Sequence, residues 1–277
     1  MSLTTLAMQT RGSGRARARS WRARPWGWTA AVLASASLAA GASFSARGAD
    51  AAGSPAPAAT AAAAPLAPFR ASYSWAWHGS GVAVSTLDLQ QRDADTWVYR
   101  SQSEPRGLGF LYPMRPKLES VMRIGAQGVE PLHYHATDGT SANERGADVT
   151  FDWDALHASG IYENVKVDLP LKPGVQDDLS IQIALLYALR QGRAPSNLSM
   201  IDKNSIRDYS YRQDGNETID TRLGRIETVV YASHHEGSPR TTRFWCAPSK
   251  GFVPLRVEQK RLDSVEWTME IETLELH

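Results

Sequence analysis

The sequence predicts a mainly β protein: a single antiparallel sheet, strongly curled or barrel-like, with one buried helix over about residues 175–191. Three observations carry this. Side chains alternate apolar and polar with period 2 in run after run beyond Phe69. Turn dipeptides such as Asp138-Gly139, Asp214-Gly215 and Leu223-Gly224 fall between the runs. A single segment, Gln176 to Gly192, breaks the alternation with a helical period.

The first 68 residues are of another kind. They hold seven arginines against Asp50 as their one acid. Arg11 to Arg24 is basic, and Trp26 to Ala42 is apolar and small, which is the order of a secretory signal. Its Ala-rich core is shorter than the ~20 strongly apolar residues of a spanning helix. Residues 1–49 are therefore expected to be a signal peptide, with an uncleaved inner-membrane anchor as the alternative. Cleavage could follow Ala40-Gly41-Ala42 or Ala49-Asp50-Ala51. A lipoprotein would need a cysteine after the apolar run, and a twin-arginine signal would need adjacent arginines. Neither stands there. The expected location is the periplasm. Residues 50–68 are almost entirely Ala, Pro, Gly, Ser and Thr. They bury too little to repay the entropy of ordering and predict a flexible tether.

The third part, residues 69–277, is the expected β domain. It carries 23 Lys and Arg against 28 Asp and Glu, a net charge of −5, so the basic charge of the chain belongs to the leader. That excludes a nucleic-acid surface. Cys246 is the one cysteine, so no internal disulfide can form. It lies in a strand-like run, Thr-Thr-Arg-Phe-Trp-Cys, and is expected to be a small buried hydrophobe rather than a nucleophile.

In the first strand Tyr73, Trp75 and Trp77 share a face opposite Ser72, Ser74 and Ala76. Further on, Ile161, Val165, Val167 and Leu169 oppose Tyr162, Asn164, Lys166 and Asp168. Near the end, Val253, Leu255 and Val257 form one dry face and Trp267, Met269 and Ile271 another. One wet and one dry face per strand is the pattern of antiparallel sheet. About twelve strands at short spacing suit a barrel or sandwich, and curling protects the edges while enclosing a lumen.

The exception is Ile181 to Arg190, preceded by Gln176-Asp177-Asp178-Leu179-Ser180. The aspartates suit an N-cap, Arg190 suits the last turn, and Gly192 suits the stop. Leu185 and Leu189 widen the stripe of Leu179, Ile183, Leu186 and Tyr187 beyond that of a surface helix. Such a helix plugs or caps a barrel.

The exported start, an early Tyr-rich strand, the Gln176–Ser180 motif, the hairpin at Gly224, and Arg243-Phe244-Trp245 followed by Val253-Pro254-Leu255-Arg256 resemble the DUF3108 family of bacterial envelope proteins. The resemblance covers about residues 70–275. It implies a periplasmic β-rich domain and supplies no catalytic residues. A looser likeness, in architecture alone, is to curled-sheet lipid carriers.

Several constellations remain. His133 and His135 flank Tyr134 and would project from one strand face opposite Leu132 and Tyr134. They could bind zinc if His78 or His234-His235 supplied a third ligand, and otherwise simply face solvent. Asp177-Asp178 and the Asp152/Asp154 pair could split acid and base roles, although helix capping accounts for the first pair. No nucleophile elbow, phosphate loop, dinucleotide fingerprint, zinc spacing or calcium loop is present, so no catalytic residue, metal or cofactor is assigned.

The stretch Pro105 to Pro116 is a long, apolar, Gly/Pro-rich loop. It either closes one end of the barrel or serves as a lid or lipid-touching surface, with Arg106 and Arg115 near anionic headgroups. Trp75, Trp77, Phe110, Leu111 and Tyr112 are the candidates for lining a lumen or its portal, together with the two arginines. The expected function is a non-enzymatic carrier or binding module for an apolar or amphipathic envelope molecule. A scaffold binding another envelope protein and an envelope hydrolase are the alternatives. The hydrolase would need two or more of His133, His135, Asp177, Asp178 and Cys246 to converge in a cleft.

Overall fold

The computed structural model describes residues 66–112 and 114–277. The expected leader, and the tether up to residue 65, lie outside the described residues. Ordered packing begins at the end of the segment assigned to the tether. Leu66 is buried, and the Pro68 carbonyl accepts the His277 N–H at 3.0 Å.

Eight strands lead off in sequence: β1 (Phe69–Trp77), β2 (Ser80–Gln91), β3 (Thr96–Pro105), β4 (Lys117–Gly125), β5 (Gly128–Thr137), β6 (Ala147–Asp152), β7 (His157–Tyr162) and β8 (Val165–Pro170). The two-residue β9 (Val175–Gln176) precedes the helix α1 (Ser180–Arg190). The second run is β10 (Asn197–Ile201), β11 (Ile206–Thr221), β12 (Gly224–His235), β13 (Arg240–Ala247), β14 (Val253–Arg261) and β15 (Ser264–Leu276). Each run is a meander, and β1 pairs antiparallel with β15 to join them into one 15-stranded sheet. All neighbours are antiparallel except β9 and β10. The expected fold class is what the chain adopts.

The sheet ends on β8 and β9, and side chains draw these ends together. Asn204 Oδ1, in the β10–β11 turn, accepts the Asp168 N–H of β8 at 2.9 Å. Lys203 pairs with Glu163 at 3.0 Å. On the other side, Gln176 Nε2 donates to the Val129 carbonyl of β5 at 2.8 Å. Dry faces of both meanders turn inward on a core that includes Tyr73, Trp97, Val149, Leu255 and Met269. Helix α1 lies inside this curl, with Ile181, Ile183, Ala184, Leu185, Leu186 and Leu189 all buried. Among the described residues no helix is long and apolar enough to cross a membrane.

Three expectations are corrected. Among the described residues there are fifteen strands rather than about twelve, because elements as short as β9 carry no alternation to detect. Asp214-Gly215 is not a hairpin turn: it lies inside β11, where the register shifts and Gly215 takes φ +119° as a bulge. Residues 161–169 are not one strand. Glu163 and Asn164 both take positive φ and form a two-residue turn between β7 and β8. The turn resets the alternation, so Ile161 faces out and Tyr162 faces the core.

Candidate functional site

Helix α1 starts buried inside the curled sheet, where its first N–H groups need acceptors. Asp177 supplies the acceptor. Its Oδ1 accepts the N–H groups of Leu179 and Ser180, both at 2.8 Å, while Ser180 Oγ accepts the Asp177 N–H at 2.8 Å. This is a reciprocal capping box. Ser120 of β4 donates to the other oxygen, Oδ2, at 2.6 Å. Burial raises the Asp177 pKa and these donors lower it, with burial the larger influence.

Asp178 does something different. Its side chain turns to the β5–β7 wall, where Oδ2 accepts hydrogen bonds from Tyr134 at 2.9 Å and from Tyr162. Its Oδ1 is buried and accepts no hydrogen bond. Only 4% of the residue is exposed. Burial pushes its carboxyl up to about 7; the phenols oppose this and the negative charges of Asp177 and Asp202 add to it. Both phenols have pKa values raised well above 10 by burial, so they act as donors.

These three side chains border a cavity of about 80 Å³, together with Trp75, Ser101, Ser103, Leu118, Arg145 and Glu163. Met114 and Pro116 also line it, and they continue the chain from the loop that follows β3. That loop begins with a single 3-10 turn, Gly107–Leu111. Gly109 is packed so tightly over β2 that a Cβ would sit 1.8 Å from the Val82 carbonyl oxygen. With its backbone pinned there, the turn presents Leu108, Phe110, Leu111 and Tyr112 outward, at 55%, 69%, 77% and 48% exposure.

The structure thus separates the lining and portal candidates. Trp75 is buried, borders the cavity and packs on Trp267 with ring centroids 5.1 Å apart. Trp77 is half-buried beside the core and meets the His78 ring edge-on, away from the cavity lining. Phe110, Leu111 and Tyr112 are exposed on the loop. Arg106 is exposed, and Arg115 lies 3.3 Å from Glu104.

The other constellations stay apart. His133 and His135 face outward and share Asp148, each at 3.1 Å. His234 and His235 hydrogen-bond backbone carbonyls of Arg240 and Asp208. Asp152 caps its own turn through Ala155, and Asp154 is exposed. Cys246 is buried on β13, its thiol pushed up to about 12 by burial. Among the described residues no three His, Cys, Asp or Glu side chains gather as a metal ion would need.

The sequence alternation places Tyr134 on a dry face without giving it a role, and puts Tyr162 on the wrong face. Capping is expected of both aspartates, whereas Asp177 alone performs it. The spacing Asp177-x-x-Ser180 already selects Asp177 as the cap and leaves Asp178 unaccounted for.

Among solved structures, a β-barrel-like DUF1849 protein from Brucella abortus is similar with a TM-score of 0.53 at 11% identity, covering 76% of this chain and 98% of that one. That likeness is one of fold. A Bacteroides fragilis protein with a YmcC-like fold, described as exported, reaches a TM-score of 0.33 at 10% identity over 76% of this chain and 96% of its own. No curated protein matches the chain. The family described as "Protein of unknown function (DUF3108)" matches residues 69–270, and the chain belongs to that family.

Proposed function

We propose that this protein is a non-enzymatic binding module of the periplasm, which takes the compact polar end of an amphipathic envelope molecule into the cavity beside Asp178. The observation that carries this reading is the continuity of two features. A cavity with a buried, half-satisfied carboxylate is lined by Met114 and Pro116, and the same loop exposes four large apolar side chains. Contiguous apolar groups on a surface suit lipid or another apolar partner.

Size narrows the carrier idea. About 80 Å³ is room for the centres of about five to eight waters. That suits a head group of a few heavy atoms. The tail, or the membrane holding it, would lie against Leu108, Phe110, Leu111 and Tyr112. The exposed loop by itself would serve a protein-binding scaffold equally well; the half-satisfied carboxylate favours a small-molecule ligand.

Native mass spectrometry of protein purified from its own periplasm, followed by extraction of whatever is bound, tests this. A co-purifying amphiphile is the expected result. A clean mass under gentle ionisation, with a stoichiometric protein partner in pull-downs, would replace this reading with the scaffold.

A further inference from the structure

We infer that a second cavity, across Gln182 from the first, binds a neutral amide group whose carbonyl accepts a hydrogen bond from the Tyr209 hydroxyl. This cavity measures about 40 Å³, room for the centres of about three to four waters. It is independent of the site beside Asp178. Gln182 borders both cavities, and Trp267 of the second packs on Trp75 of the first. Ile181, Leu185 and Met200 give it an apolar side.

Most polar groups of the lining are satisfied within the protein. Arg240 grips Glu266 through Nε at 2.6 Å and Nη2 at 3.1 Å. Gln259 donates to the Thr242 hydroxyl at 3.1 Å and accepts from Trp267 Nε1 at 3.0 Å. Tyr211 meets the Ser233 hydroxyl. Tyr209 is the exception. It is 7% exposed and borders the cavity, and its hydroxyl makes no hydrogen bond within the protein. Unlike Asp178 Oδ1, this oxygen is not sealed off and keeps surface that a ligand can touch. Burial raises the Tyr209 pKa, so the phenol remains a donor.

A donor left unmade in so buried a place calls for an acceptor. The charges decide its kind. Among the described residues no Asp or Glu lines this cavity, and Arg240 is engaged by Glu266, so an entering ion would find no free counterion. A neutral acceptor is favoured. His235, half-buried on the same lining, narrows the choice. Its Nδ1 lies 2.8 Å from the Asp208 carbonyl, which can only accept, so Nδ1 carries the proton and Nε2 of the neutral ring is an acceptor. Nε2 has no partner within the protein, and the ring lies against Tyr209 with centroids 5.4 Å apart. One unmade donor beside one unmade acceptor matches an amide, whose C=O and N–H serve both. An ester serves Tyr209 alone.

The protein, isotope-labelled at its methionine methyl groups, is titrated at neutral pH with isobutyramide, methyl isobutyrate and isobutyrate and followed by NMR, and the series is repeated on Tyr209→Phe. Met200 reports on this cavity and Met114 on the one beside Asp178. The Met200 signal should shift saturably with the amide, at a Kd at least about 10-fold below that of isobutyrate, with the ester between them. Tyr209→Phe should unfold at the wild-type urea midpoint, since no internal hydrogen bond is lost, and should bind the amide roughly 2- to 10-fold more weakly. A lower midpoint would show that the hydroxyl is bonded within the fold and overturn the inference. So would an amide affinity unchanged in the variant, or an ester or carboxylate bound as tightly as the amide. A Met200 signal that stays still under all three probes leaves the cavity to water and overturns it too. A shift at Met114 alone does the same, while supporting a ligand group beside Asp178. If the variant does not fold, the wild-type ranking of the three probes decides.

Discussion

Replacing Asp178 by Asn should remove that residue's own share of the pH dependence of stability between pH 4 and 7. The sign follows from burial. An ordinary aspartate titrates near 3.8, whereas Asp178 in the fold titrates at about 7. Because the folded value is the higher one, the neutral acid's contribution to stability is complete below about pH 4 and is lost as pH rises through 7. A rise from 3.8 to about 7, at ~1.4 kcal/mol per pH unit, amounts to about 4 kcal/mol across that interval. Tyr134 and Tyr162 stay protonated throughout. Asp202 is paired with Arg207 at 2.9 Å. Asp177 is also raised by burial and adds a slope of the same sign, which the variant retains. Asp138, Asp148 and Glu217 are lowered, so what they contribute is lost only as pH falls below the ordinary carboxylate range.

Asn keeps a carbonyl that can accept from both phenols, so the geometry need not change. Urea unfolding followed by tryptophan fluorescence, at intervals from pH 4.5 to 8, gives the stability of each protein. The informative quantity is the difference between variant and wild type, since shared contributions cancel in it. It should grow in favour of Asn by about 3 kcal/mol from the acid to the alkaline end, with most of the change before pH 7. Parallel curves would mean that Asp178 is solvated or paired in solution, and a cavity built around a half-satisfied carboxylate would be ruled out with them.

Two further outcomes are expected. Leu111→Ser with Tyr112→Ser should leave stability within ~0.5 kcal/mol, since both side chains are exposed, and should weaken binding to vesicles containing anionic phospholipid in a sedimentation assay; unchanged binding would leave the loop no lipid-facing role. Cys246, buried and with its thiol pushed up to about 12, should react with a thiol reagent only at the rate of unfolding. Rapid labelling of the native protein would show that β13 opens locally.

What the sequence makes legible follows the physics of each feature. Long strands advertise themselves because one face must be dry, and the stripe of Tyr73 and Trp75 does point inward. The helix is visible because Leu185 and Leu189 crowd its apolar stripe, and both are buried. The turn at Glu163 and Asn164 is not visible, because Glu at positive φ is rare and its neighbours continue an apparent alternation. Missing that turn misplaces Tyr162, and with it the second phenol of the site. Nothing local in a sequence reports that Tyr134, Tyr162 and Asp178 meet, since their convergence depends on how far the sheet curls around α1. The exposed loop stands out by its composition, but whether it folds inward depends on Gly109 approaching the β2 backbone.

The polar shell at the start of α1 has two parts that differ in what they do for the fold. Asp177, Ser180 and Ser120 answer a structural demand, because a helix that begins inside a lumen must have its first N–H groups satisfied. Asp178 answers no such demand. An amide oxygen would accept from Tyr134 and Tyr162 as well as a carboxylate does, and would not bury a charge in a negative field. At alkaline pH the carboxylate destabilises the fold by about 4 kcal/mol relative to its neutral form.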